Sequence, residues 1–157
     1  MQEAPAPTWQ ILLDWWTSTN AEIETRHTTP EEIAALEIRY DVVLPEPFRD
    51  YLANACPADE CFDWELTAWW HLARIKSVAD DYEHPLSIAI QPYRDKLILF
   101  ADYMIWAWAW AVNCALGPDY GKVALVSGDG REGFIADDFR AFVREYTRDP
   151  EGGFIHG

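Results

Sequence analysis

Residues 29–52, TPEEIAALEIRYDVVLPEPFRDYL, constrain the fold more than any other stretch of this chain. Thr29 is placed to cap a helix, Pro30 suits its first turn, and Glu32 stands three residues after the cap, where its side chain closes a capping box. Ile33, Leu36 and Glu37 precede an exit through Arg39-Tyr40-Asp41 into the apolar link Val42-Val43-Leu44-Pro45. Pro47 opens a second helix, in which Phe48, Tyr51, Leu52 and Ala55 recur at i, i+3, i+4 and i+7. That spacing predicts one buried helical stripe.

The remaining elements follow from the same periodicities. Pro7-Thr8 starts a helix from Trp9 to about Thr19, and Asn20–Thr28 is polar and reads as a linker. Pro57–Phe62 is a loop, Trp64–Thr67 and Trp69–Ile75 read as strands, and Ser77–Glu83 reads as a short acidic helix. Leu97–Ala101, Ile105–Asn113 and Lys122–Val126 are further strands. Gly128-Asp129-Gly130 makes a hairpin turn, Phe134-Ile135 pairs back, and Asp137 or Asp138 caps a last helix. Phe139, Phe142, Val143 and Tyr146 form that helix's buried face. The fold class is therefore α+β: a mostly antiparallel sheet of about five or six strands, with helices from the N-terminal half and the C-terminus packed on it. At 157 residues this is one domain's worth of chain. It divides into an N-terminal helical extension and linker (1–28), an α+β domain (29–147) and a tail (148–157).

The opening helix pair, with Glu37, Leu44-Pro45, Phe48 and Tyr51-Leu52, resembles the start of the SUKH superfamily, which includes fungal cell-wall-assembly regulators and bacterial immunity proteins. Two later segments are similar to that family as well. Trp69-Trp70-His71-Leu72-Ala73-Arg74-Ile75 resembles its Trp-bearing strand, and Phe134–Phe142 resembles its closing element, an Ile-Ala pair running into a Phe-xx-Phe helix. The likeness runs over roughly residues 29–146 in the family's order. Two segments depart from it. Cys56-Pro57-Ala58-Asp59-Glu60-Cys61 stands where the family often has an Asn-Gly or Gly-Gly turn, and a Trp-Ala ladder replaces a small acidic-aromatic strand.

In that ladder Trp106, Trp108 and Trp110 alternate with Ala107, Ala109 and Ala111. Period two sends the indoles to one face of a strand and the alanines to the other. The ladder is then either a central strand, with helices against the small face and the rings filling the opposite side, or an aromatic-lined groove for a ligand or partner loop. Gly128-Asp129-Gly130-Arg131-Glu132-Gly133 matches the dinucleotide pattern GxGxxG. It lacks the helix that must open at the glycines, because Phe134-Ile135-Ala136 reads as strand.

Chemistry finds little support. Three cysteines argue against a disulfide framework and for a reduced, cytoplasmic setting. Cys56 and Cys61 have a permitted zinc spacing but no second matched pair, so no metal and no cofactor is expected. Asp80-Asp81, Asp137-Asp138 and Asp59-Glu60 are carboxylate pairs without a positioned third group, and no nucleophile motif is present. No apolar run is long enough to span a bilayer, and Met1–Pro5 shows no secretory signal.

Formal net charge is −15, from 27 acidic and 12 basic residues. Such a chain repels nucleic acid and anionic membranes and attracts basic partners. The resemblance supplies the biology: a non-catalytic immunity protein that binds a cognate toxin such as a basic nuclease domain. A regulatory scaffold for a cellular protein is the alternative, and a small hydrolase is a third reading. Carboxylates concentrate in two segments, Asp59, Glu60, Asp63 and Glu65, then Asp80, Asp81 and Glu83. These are the candidate partner-binding residues. A solubilising surface with no partner accounts for them equally well.

Overall fold

The computed structural model describes residues 6–127 and 131–148. The opening pair of helices forms as its caps dictate. Helix α2 covers Pro30–Tyr40, after α1 at Thr8–Ser18. Thr29 Oγ1 accepts the Glu32 N–H at 3.1 Å, and Glu32 Oε1 accepts the Thr29 N–H at 3.1 Å. The helix ends on Asp41, which turns left-handed at φ 53°. The link that follows is tied down by Glu37. Its backbone carbonyl takes the Val42 N–H at 3.0 Å, and its carboxylate takes the Leu44 N–H at 2.8 Å. Arg49, on helix α3 (Glu46–Ala55), sits 3.6 Å from the same carboxylate and donates to the Leu44 carbonyl at 2.8 Å. One glutamate thus sets the angle between two helices by occupying the backbone of the residue between them.

The main sheet contains β3 (Thr67–Trp69), β4 (Lys76–Ser77), β5 (Leu97–Tyr103), β6 (Trp108–Asn113), β7 (Val123–Val126) and β8 (Gly133–Ala136). Its order is β3-β5-β6-β7-β8, and β4 pairs with β5 beside β3. Every pairing is antiparallel. Between β4 and β5 lie a single helical turn, α4 (Val78–Asp81), and a 3₁₀ segment, Gln91–Lys96. The last helix, α5, covers Phe139–Arg148, and Asp138 caps it through the Ala141 N–H at 2.7 Å. The α+β architecture is as the sequence predicts.

Helices α1, α3 and α5 cover one face of this sheet. Trp69 meets Trp16 of α1 at 5.4 Å and Tyr146 of α5 at 5.4 Å between ring centroids. Phe100 meets Phe48 of α3 at 5.7 Å and Phe139 at 5.2 Å, and Trp110 meets Phe142 at 5.4 Å. These rings are fully buried. Each contributes about 2–3 kcal/mol through burial, with edge-to-face contacts adding to that. The N-terminal helix therefore shares the central core rather than lying apart from it.

Several local expectations are corrected. Residues 20–28 are not purely a linker, because β1 (Thr25–Arg26) pairs with β2 (Cys56–Pro57) in a small second sheet. Leu72–Arg74 is a 3₁₀ turn and not strand. The turn brings Arg74 back over the Trp70 ring at 4.2 Å. The Trp-Ala ladder is split. Met104, Ile105 and Trp106 form a left-handed turn, with φ of 47°, 53° and 66°, and the strand begins only at Trp108. The helices also pack on the Trp110 side, the reverse of the arrangement expected for a core strand. Paired residues share a face, and Ala111, Ala124 and Phe134 are successive cross-strand partners. Phe134 meets Tyr93 of the 3₁₀ segment at 5.7 Å, so the alanine face lies under the 78–96 connection. Small side chains let that irregular backbone sit close to the sheet. Of the predicted 148–157 tail, Arg148 ends α5 and the rest, like the predicted Gly128-Asp129-Gly130 turn and Met1–Pro5, lies outside the described residues, while β8 confirms Phe134–Ala136 as strand.

Glu37→Ala should orphan the buried Leu44 N–H and leave Arg49, still bonded to the Leu44 carbonyl, without its carboxylate partner. The expected loss is about 2 kcal/mol in urea denaturation, whereas Glu37→Gln, which keeps an acceptor, should cost less than about 1 kcal/mol. Equal losses for the two variants would show that the Leu44 bond is not what holds the link.

Candidate partner-binding surface

Neighbouring tryptophans at the end of β3 project to opposite faces of the sheet and each finds a buried aspartate. On the helix side, Trp69 Nε1 donates to Asp63 Oδ2 at 2.9 Å. Asp63 also accepts the Tyr146 hydroxyl at 2.5 Å and the backbone N–H groups of Glu65 and Thr67 at 2.9 and 3.0 Å. On the other side, Trp70 Nε1 donates to Asp102 Oδ1 at 2.6 Å. Asp102 accepts the Trp106 N–H at 2.8 Å and pairs with Arg74 at 3.2 Å. Each carboxylate therefore anchors a loop by its backbone: Asp63 the 63–67 turn, Asp102 the 103–107 turn.

The two turns touch. Met104 N–H donates to the Leu66 carbonyl at 3.1 Å, and Thr67 pairs with Tyr103. Leu66, like Met104, Ile105 and Trp106, is left-handed, at φ 67°. Non-glycine residues avoid this region, and a β-branched residue such as Ile105 avoids it most. The strained turns hold out a row of apolar side chains. Phe62, Trp64, Leu66, Met104 and Ile105 are all exposed, Trp64 to 71% and Ile105 to 87%. Trp64 is fixed as well as exposed, since its Nε1 donates to the Asn20 carbonyl at 2.9 Å.

Candidate acidic residues flank these turns. Asp59 and Glu60 are exposed, and Glu65 is half-buried. Glu60 lines a hollow of about 400 Å³ with Phe62, Ile105, Trp70, Arg74 and Asp102. Asp80, Asp81 and Glu83 are exposed and line a second hollow, of about 570 Å³, with Tyr82, His84 and Trp106. Trp106 stacks on Tyr82 at 5.2 Å with the planes 8° apart. The 103–107 turn thus has one acidic segment on either side. Two of these carboxylates also serve the fold: Asp80 accepts the Tyr40 hydroxyl at 2.8 Å, and Asp81 lies 3.6 Å from Lys76. Asp63 does not belong to an accessible surface. It is 4% exposed, burial pushes its carboxyl above the usual range, and its hydrogen bonds from Tyr146 and Trp69 oppose that shift.

The match to known families spans most of this architecture. The family model for the SMI1 / KNR4 family (SUKH-1) covers residues 27–145, from just after β1 into the last turns of α5. The chain belongs to the SMI1 / KNR4 family. No curated protein matches it. SUKH-1 membership carries a general protein-binding role of the toxin-immunity or SMI1/KNR4 kind. No helix among the described residues is long and apolar enough to cross a membrane.

Sequence reasoning missed Asp102, Arg74 and the apolar tips. Ile105 reads as strand in the sequence because it opens an alternating run, and Met104 falls in no predicted element. For Phe62, Trp64 and Leu66 the signal that could have found them is large apolar residues spaced through an otherwise acidic segment. In this SUKH-1 chain no three His, Cys, Asp or Glu side chains converge on a metal-sized site among the described residues. Cys56 and Cys114 are buried and Cys61 partly so. Burial pushes the Cys61 thiol up to about 11 and the Cys114 thiol up to about 12.

Two outcomes are expected. Asp63→Ala should lose about 3 kcal/mol in chemical denaturation, because two backbone N–H groups, an indole and a phenol lose their acceptor together. Tyr146→Phe should lose only about 1 kcal/mol. With thiols held protonated, iodoacetamide at pH 8 should label the native protein at least about ten times more slowly than the unfolded chain. Fast native labelling would contradict the burial described for these cysteines.

Proposed function

We propose that this chain is a non-catalytic cytoplasmic immunity protein, whose 29–147 domain binds a basic toxin domain and blocks it. The observation that carries this reading is the charge: −15 overall, with Glu60 in the hollow beside Ile105 and Asp80, Asp81 and Glu83 in the hollow beside Trp106. A toxin that acts on nucleic acid presents a cationic surface to phosphate, and an acidic inhibitor competes for that surface. Long-range attraction then speeds encounter well above the rate of neutral partners. The carboxylates serve as a field and not as acids or bases in a reaction. This fits their geometry, since Asp80 and Asp81 are already engaged with Tyr40 and Lys76. A regulatory member of the same family would also bind protein, but it would have no need of a toxin encoded beside it.

The test begins with affinity capture on the tagged chain, followed by growth assays in which the captured protein is expressed with and without it. A basic protein that arrests growth, and whose arrest is relieved by co-expression, is the expected result. A harmless cellular protein as the sole stoichiometric partner would move the chain to the regulatory branch of the family. Association rates measured from 50 to 500 mM salt should fall by roughly tenfold or more, because screening shortens the field to a few ångströms. Glu60→Gln with Glu83→Gln should slow association at low salt and leave dissociation almost unchanged. Rates indifferent to salt would remove the acidic field from the mechanism.

A further inference from the structure

Electrostatic steering brings partners together but does not hold them, and the structure supplies a separate element for that. We propose that Phe62, Trp64, Leu66, Met104 and Ile105 form the contact centre for a partner segment that carries an apolar side chain flanked by lysine or arginine. This rests on the reading of the chain as a protein-binding module and names the site and the chemistry it recognises.

Three observations support it. Phe62 and Ile105 line one hollow, and the two turns that carry Trp64, Leu66, Met104 and Ile105 are joined by the Met104–Leu66 backbone bond. Contiguous exposed apolar area of this kind marks contact sites, and large side chains held in fixed positions dominate binding energy. The surface is also preorganised. Asp63 and Asp102 fix the two turns from beneath, Trp64 is bonded to Asn20, and the left-handed run at 104–106 holds Ile105 outward. Such strain persists only where surrounding bonds enforce it, and it clusters where binding is carried out. A rigid surface loses little conformational freedom when it binds.

The rim selects the occupant. Glu60 borders the hollow shared by Phe62 and Ile105, and Glu83 borders the one beneath Trp106. An apolar centre between carboxylates fits an apolar residue with cations on either side. It does not fit a second copy of this chain. A two-fold contact would set Glu60 and Glu83 against acidic residues of an identical surface, and each copy carries −15.

A random-peptide phage library selected on the immobilised full chain tests this. Selected peptides should combine an aromatic or aliphatic residue with neighbouring Lys or Arg. The synthesised winner should lose at least about tenfold in affinity to Phe62→Asp or Ile105→Asp. Ile88→Asp, at an exposed apolar position elsewhere, should change it less than about twofold. Both target side chains are exposed, so melting curves should show the variants folded. Selection of acidic peptides, indifference to both substitutions, or failure to select any peptide would overturn the proposal. So would self-association of the free chain that Ile105→Asp abolishes, since that result assigns the surface to a second copy. The toxin assay reads the function separately. A wild type that binds such peptides through Ile105 but relieves no toxicity would sink the immunity reading and leave the surface standing. Full protection by Ile105→Asp would do the reverse.

Discussion

Two indole-to-carboxylate hydrogen bonds, Trp69 to Asp63 and Trp70 to Asp102, organise this molecule from the end of its edge strand. A buried carboxylate is costly unless its oxygens are saturated with donors. Here the donors come from separate parts of the chain: a strand indole, the phenol of the last helix, backbone amides of a turn, and an arginine on a 3₁₀ turn. Satisfying the two charges therefore forces those parts into register. One carboxylate couples the sheet to α5, and the other couples it to the opposite layer. Because adjacent residues of an extended chain point in opposite directions, a Trp-Trp dipeptide performs both tasks at once.

The distribution of bulk across the sheet follows from this division. Rings of Trp69, Phe100 and Trp110 fill the space under three helices, whose cylinders stand well away from the strands. On the reverse side, Ala109, Ala111 and Ala124 allow an irregular connection to approach closely, as a helix could not. The connection can then carry short acidic and 3₁₀ pieces without a large core of its own. Three helices and their ring cluster sit on one side, and irregular connections with the Tyr93–Phe134 and Tyr82–Trp106 contacts on the other.

How much of this was legible in the sequence depended on how local the cause was. The capping box at Thr29 and Glu32, the stripe Phe48-Tyr51-Leu52-Ala55 and the Asp138 cap are written within one or two helical turns, and they appear where periodicity puts them. The α+β class followed from their order. What escaped was set by distant partners. Asp63 counts as one more surface acid until Tyr146, far away in sequence, is seen to need it. Ile105 and Trp106 continue an alternating pattern perfectly well, and only the Asp102 carboxylate on the Trp106 N–H shows why the backbone turns there. Of the candidate surface, the acidic rim could be read from composition. Its apolar centre could not, because hydrophobic residues in a sequence are assigned to the interior by default.

The left-handed run through Met104, Ile105 and Trp106 also places this chain at odds with its own thermostability. Glycine or asparagine would sit in those conformations with less strain, relieving on the order of 1 kcal/mol at each site. Selection for a tougher protein, in the laboratory or in nature, would therefore press on this loop first and replace its side chains with small ones. Three large residues stand there instead, and each carries that cost. A variant improved by heat challenge alone would fold better while its outer surface at this turn became blank.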